Sequence, residues 1–203
     1  MRFSTFLYSP LLFVFLAAVL AWAPVSKTKR SAKWAVSGNS SLQVLGSTNV
    51  NKFTCGISSY KRFDTLEITE TKNAVALTGS LNLSLENFDC RNPVMTRDLR
   101  KTLKSDQYPD LCITFLNLSK MPTLRQKPEA ITGWVDIELA GTRKRVEVNY
   151  QISVDAQGLV HVDGTRDITF ADFNLTPPTK FNRMVQTRQK LTISFSLQLK
   201  AVG

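Results

Sequence analysis

The sequence predicts an all-β fold, an antiparallel β-barrel of about eight strands with one short amphipathic helix inserted. Three observations predict it. Apolar and polar residues alternate with period two over most of the chain from Trp34 onward. Turn sequences such as Ala140-Gly141-Thr142 and Ala156-Gln157-Gly158 punctuate the alternating runs. A period-four apolar stripe stands out in one place, between Phe88 and Pro109.

Taken in order, the chain opens on Arg2 followed by an uncharged run from Phe3 to Ser26, ending in the small residues Ala21 and Ala23. A basic start, an apolar middle and a small-residue end describe a secretory signal peptide over residues 1–23. Pro24 would sit directly after a cut at Ala23, which disfavours that cut, so cleavage after Ala21 or an uncleaved anchor both stay open. Residues 24–33 are polar and basic without periodicity and read as a flexible leader. Residues 34–203 then form one domain, long enough to bury a core, with no internal repeat.

Within that domain Leu42, Val44 and Gly46 open the first alternating strand, and Phe53, Cys55 and Ile57 the next. The most regular run is Val75-Leu77-Gly79-Leu81-Leu83-Leu85, backed by Ala76-Thr78-Ser80-Asn82-Ser84. After the helix come Ile113 and Phe115, then Ile131 to Leu139, Val146 to Val154, Leu159 to Phe170, and Leu191 to Leu199. Gly79 and Gly133 fall at inward-phased positions, where they either leave room for a cavity or mark bulges in a packed core.

The helix follows Asn92, a good N-cap, and Pro93, which suits the first helical position. Met95, Leu99 and Leu103 share one face, while Arg97, Arg100, Lys101 and Lys104 occupy the rest and Pro109 bars continuation. So short a helix needs an apolar surface to lie on, and the strands supply it.

Three cysteines allow one bridge and one free thiol, or three buried thiols. Cys55 and Cys90 both fall at strand or strand-end positions and form the candidate disulfide, whereas Cys112 is one residue out of phase with Ile113. The net charge of +10 comes from cations scattered along the chain. It suits a solvated surface, with attraction to an anionic membrane surface as the sharper reading. An exported chain without a nucleic-acid motif makes nucleic acid the weakest partner.

Groups that perform chemistry are sparse. His161 is the lone histidine and sits on the face opposite Val160 and Val162. No nucleophile elbow, phosphate-binding glycine loop or His-Glu-x-x-His pair occurs, and no carboxylate pair stands out. No cofactor or metal site is expected. The sequence points to binding rather than catalysis.

In this order and spacing the segments resemble the YceI-like family, the lipocalin-like polyisoprenoid-binding proteins of bacterial envelopes. The resemblance rests on Gly46-Ser47-Thr48-Asn49-Val50-Asn51-Lys52-Phe53-Thr54-Cys55 and on Phe88-Asp89-Cys90-Arg91-Asn92 leading into Met95-Thr96-Arg97-Asp98-Leu99. It continues through Tyr108-Pro109, Ile131-Thr132-Gly133 and Leu139-Ala140-Gly141-Thr142 to Asp172-Phe173-Asn174-Leu175-Thr176-Pro177-Pro178. It implies a lipocalin-like barrel, exported to the periplasm or cell envelope, that holds an amphiphilic lipid such as a polyisoprenoid or isoprenoid quinone.

The lining expected from strand phase is Phe53, Leu81, Leu83, Phe115, Val135, Ile137, Val148, Tyr150 and Phe195, with Met95, Leu99 and Leu103 added by the helix. Tyr150 is the candidate polar contact. The competing expectation is a packed barrel whose basic face binds an envelope partner or membrane surface.

Overall fold

The computed structural model describes residues 30–180 and 182–202, so the expected signal peptide lies outside the described residues. Ten strands form one antiparallel sheet. They are β1 (Ser31–Val36), β2 (Ser41–Ser47), β3 (Lys52–Ile57), β4 (Thr65–Glu70), β5 (Val75–Ser84), β6 (Asp110–Leu118), β7 (Glu129–Leu139), β8 (Thr142–Val154), β9 (Val160–Thr169) and β12 (Lys190–Ala201). A small hairpin, β10 (Thr179–Lys180) and β11 (Val185–Gln186), stands apart from it.

The sheet closes because β12 serves two neighbours on one edge. Its end pairs with β1, Trp34 opposite Ala201, and its middle pairs with β2, Phe195 opposite Leu42. Its other edge pairs with β9 along ten residues. Eight strands, β1-β4-β5-β6-β7-β8-β9-β12, thus make a closed barrel, and the β2–β3 hairpin extends the wall at one end. The β1 strand begins at Ser31, inside the segment expected to be a flexible leader, because Ser31, Ala32 and Lys33 pair with Thr69, Ile68 and Glu67 of β4.

Closure is incomplete at the β2–β3 end, since β5 pairs with β4 and not with β3. The segment ahead of the helix fills that seam. Gly56 and Asp89 exchange backbone hydrogen bonds, each 2.9 Å, and the adjacent Cys55 is joined to Cys90 by a disulfide. Cys112 is free and half-buried on β6.

The helix, α1 (Pro93–Thr102), begins where its sequence signals placed it, with the Asn92 side chain accepting hydrogen bonds from the Val94 and Met95 amides at 3.0 Å. Arg100 does not point to solvent with the other cations. Its guanidinium donates to the Glu86 carbonyl at 2.5 Å and pairs with the Glu86 carboxylate at 2.8 Å, tying α1 to a 3-10 turn at Leu85–Asn87.

The inward glycines leave no room. A Cβ on Gly79 would lie 2.4 Å from the Thr65 carbonyl oxygen, and one on Gly133 2.3 Å from that of Asn117. Both neighbour register shifts, in β5–β6 and in β6–β7 respectively, so they permit close backbone approach at bulges and open no cavity.

Candidate functional site

The inward faces of the strands meet along the barrel axis and enclose three apolar chambers in series. The lower chamber, about 70 Å³, lies under α1 between Leu99, Leu103, Phe88, Phe170 and Leu191. The middle chamber, about 50 Å³, is bounded by Leu81, Leu83, Phe115, Val135, Val148 and Phe195. The upper one, about 20 Å³, lies between Trp34, Leu66, Leu77 and Leu199. Ile113 and Ile137 border both the lower and the middle chambers, and Phe115 and Tyr150 both the middle and the upper. One wall of side chains separates each pair.

These volumes are small. A benzene-sized guest fills a dry cavity of about 150 Å³, so a long chain threads this bore only as the lining leucines, isoleucines and phenylalanines change rotamer. Those leucines, isoleucines and phenylalanines are suited to such movement, having no polar partners to lose.

Ten of the twelve expected lining residues border a chamber. Leu81, Leu83, Phe115, Val135, Ile137, Val148, Tyr150 and Phe195 surround the middle one, and Leu99 and Leu103 reach the lower one from α1 and its C-cap. Phe53 and Met95 border none. Phe53 is drawn instead over Gly46, whose missing Cβ would sit 2.3 Å from the Phe53 ring, and Met95 lies half-buried one turn before Leu99. Fourfold spacing placed Met95 on the right helix face but too near its N-terminus to reach the bore.

Two tyrosine hydroxyls at the middle chamber differ in how they are satisfied. Tyr150 is 1% exposed and, among the described residues, its hydroxyl has no hydrogen-bond partner. Burial raises its pKa, so it remains a donor at neutral pH. Tyr60 also borders the middle chamber, but its hydroxyl is already engaged, donating to Asp64 and accepting from the Asn82 amide at 3.2 Å. Burial, then the Asp64 carboxylate, raises its pKa.

Arg166 is the charged residue of the lining, and phase alone did not single it out. It falls in register with the inward Val162, Gly164 and Ile168 of β9 and lies opposite Ile193 of β12, yet it is exposed. The exposure has a cause. The pairing of β8 with β9 ends at Asn149 and Thr165, so the wall parts at Arg166. Below the parting, a 3-10 turn at Phe170–Phe173 closes the gap, held by a Thr169–Asp172 capping box and by Lys144, 3.2 Å from Asp172. A single cation in an otherwise apolar inward row is a signal the sequence does contain.

His161 performs no visible task in the bore. It lies 2.8 Å from Asp155, whose pKa it lowers, in the β8–β9 turn at the far end.

Comparison with known proteins agrees with this architecture. The family model for the YceI-like domain matches residues 34–199. A polyisoprenoid-binding domain from Saccharophagus degradans implicated in plant cell wall breakdown superposes with a TM-score of 0.61, at 12% identity, covering 85% of this chain and 100% of that one. BcnA of Burkholderia cenocepacia superposes with a TM-score of 0.58, at 14% identity, covering 78% of this chain and 95% of that one. At such identities the two structures speak to the fold alone. A search of the curated proteins found no match. With a family match spanning most of the described chain and a closed barrel of the same architecture, this protein belongs to the YceI-like family.

Proposed function

We propose that the protein is a carrier for an amphiphilic lipid, a polyisoprenoid or isoprenoid quinone, held in the barrel and working in the periplasm or cell envelope. The observation that carries the reading is a bore lined mostly by apolar side chains from α1 to the opposite end, with one buried hydroxyl inside it that has no partner among the described residues. The polyisoprenoid named for the Saccharophagus degradans domain suggests the class of chain. The N-terminal apolar run supports the location.

Burying about ten methylene-sized groups contributes roughly 8 kcal/mol before ordering costs, the order of a micromolar affinity, and the further methylenes of a longer chain offset those costs. Tyr150 offers its hydroxyl to a ligand acceptor, and Arg166 offers a charge where the wall parts. Binding of this kind calls on no nucleophile or acid–base pair, and the protein acts without turning its ligand over.

Native mass spectrometry of protein purified from its own envelope tests the proposal. The expected result is a stoichiometric adduct of a size that lipid extraction identifies as an isoprenoid. Bare protein after gentle extraction, with no thermal shift on adding long-chain isoprenoids, would overturn it. The small chamber volumes favour the second reading in that event, a packed barrel that works through its basic surface.

A further inference from the structure

Exposed apolar side chains gather at the end of the barrel beneath which the lower chamber lies, whereas Phe63, in the loop before β4, and Trp134, on β7, stand apart from that group. At that end Met184 is 75% exposed, Val50 67% and Val94 52%. They come from three separate elements, which side-chain bonds hold together. Asn49, in the β2–β3 turn beside Val50, donates through its side chain to the Met184 carbonyl at 2.9 Å and accepts from the Gln186 amide at 2.9 Å. Lys180 of the same small hairpin pairs with Asp98 of α1 at 2.6 Å. Val94 lies one helical turn before Asp98, on the same face of α1. The three apolar tips therefore share one end of the molecule.

Cations flank them along the chain. Lys52 flanks the β2–β3 turn, Arg183 and Arg188 flank Met184, and Arg91 and Arg97 flank Val94; none of these five makes an ion pair among the described residues. The acid of α1, Asp98, is already taken by Lys180. Exposed apolar tips flanked by unpaired arginine and lysine have the chemistry of a surface that enters the head-group layer of a bilayer, the apolar groups reaching the acyl boundary and the cations meeting phosphates.

We propose that this end, formed by the β2–β3 turn, the β10–β11 hairpin and α1, docks on an anionic lipid bilayer and sets α1 and the lower chamber beneath it against the membrane from which the ligand is drawn. Docking itself needs no ligand in the bore; its use for loading rests on the carrier reading. The charge complementarity selects a bilayer over a protein partner, because cations flank each apolar tip along the chain and the acid of α1, Asp98, is already paired with Lys180.

The test places a tryptophan at each end of the barrel, Met184→Trp at the docking end and Ala156→Trp in the exposed β8–β9 turn, in the full chain. Emission is read as the difference from wild type on adding vesicles of phosphatidylcholine with phosphatidylglycerol, or of phosphatidylcholine alone, with brominated acyl chains as quencher. Met184→Trp is expected to shift to the blue and be quenched by the anionic vesicles, to respond little to neutral ones, and to lose its response at high salt. Ala156→Trp stays unchanged. Because the readout is orientation, a retained N-terminal anchor does not mask it.

Adding Arg183→Glu and Arg188→Glu to Met184→Trp weakens partition by about tenfold or more, since each basic residue near an anionic surface is worth about a factor of five. Both sites are exposed, and an unchanged thermal midpoint shows that the fold is kept. Equal quenching at the two ends, or equal response to neutral and anionic vesicles, overturns the proposal. Native mass spectrometry of the same samples separates the two readings: protein that docks but carries no lipid refutes the carrier, and protein that carries lipid but does not dock refutes the docking face.

Discussion

Tyr150 meets Phe195 edge to face across the bore, with ring centroids 5.9 Å apart and planes inclined by 66°. Tyr150 stands at the boundary of the middle and upper chambers and Phe195 packs against it from the middle one, so the pair sets how far a chain can reach. Phe195 is fixed in turn by Gly164, opposite it on β9, where a Cβ would lie 2.2 Å from the ring. Gly164→Ala should push the ring into the bore, lower stability by about 1–3 kcal/mol and shorten the longest isoprenoid that binds. Urea unfolding and a chain-length series of ligands measure the two effects.

Tyr150→Phe removes a buried hydroxyl that has no partner and keeps the ring. The ligand-free protein should gain about 1 kcal/mol of stability, since an unsatisfied buried hydroxyl carries a desolvation penalty of that order. Affinity for an isoprenoid with an accepting head group should fall severalfold while that for a plain hydrocarbon chain does not change. A loss of stability in the empty protein would show that the hydroxyl is satisfied.

Arg166→Met keeps much of the side-chain bulk and removes the cation at the parted wall. Binding of a phosphate-bearing isoprenoid should weaken by about tenfold, the order expected for a lost charge-assisted hydrogen bond, with little effect on a quinone. Titration of both ligands against both proteins gives the comparison.

Reducing the Cys55–Cys90 bridge, or replacing both residues by serine, should cost about 3–4 kcal/mol, as for a loop of this length. The loss should appear first as faster amide exchange in the segment from Phe88 to α1, because the bridge holds that segment against β3. Denaturant midpoints with and without reductant measure the global effect.

Acid should destabilise the fold through one loop in particular. Glu129 lies 2.6 Å from Lys120 and accepts from the Thr123 amide and hydroxyl, and the Lys120 contact is the largest cause lowering its pKa to about 2. Asp136, Asp155, Asp167 and Asp172 are lowered as well, by Arg145, His161, Lys190 and Thr169 respectively. A carboxyl with a depressed folded-state pKa contributes stability that is fully present above its ordinary value of 4.5 for Glu129 and is lost as pH falls towards about 2. The thermal midpoint should drop steadily across that window. Glu129→Gln should flatten part of the slope.

The barrel was legible in the sequence wherever a strand buries one whole face. Val75 to Leu83, Ile131 to Leu139 and Leu191 to Leu199 alternate without a break, and each is a wall strand. β4 passed unread because only Leu66 and Ile68 turn inward, between charged and polar neighbours. Ser31 to Lys33 looked like leader because their order comes from pairing with that unread strand. The chamber lining was legible to the same extent: phase placed most of the expected residues beside a chamber, while the parting of β8 from β9 at Arg166 and the turn of Arg100 towards Glu86 depend on contacts no local pattern records.

The double pairing of β12 also orders events in time. Until residues 190–201 are available, β1, β2 and β9 each keep an open edge, with more than 140 residues between the first strand and the one that completes it. A ring that only its last stave can shut folds late and through distant contacts, the topology that slows folding most. A chain caught before that step presents raw strand edges to its neighbours, a template on which other chains can pair and aggregate.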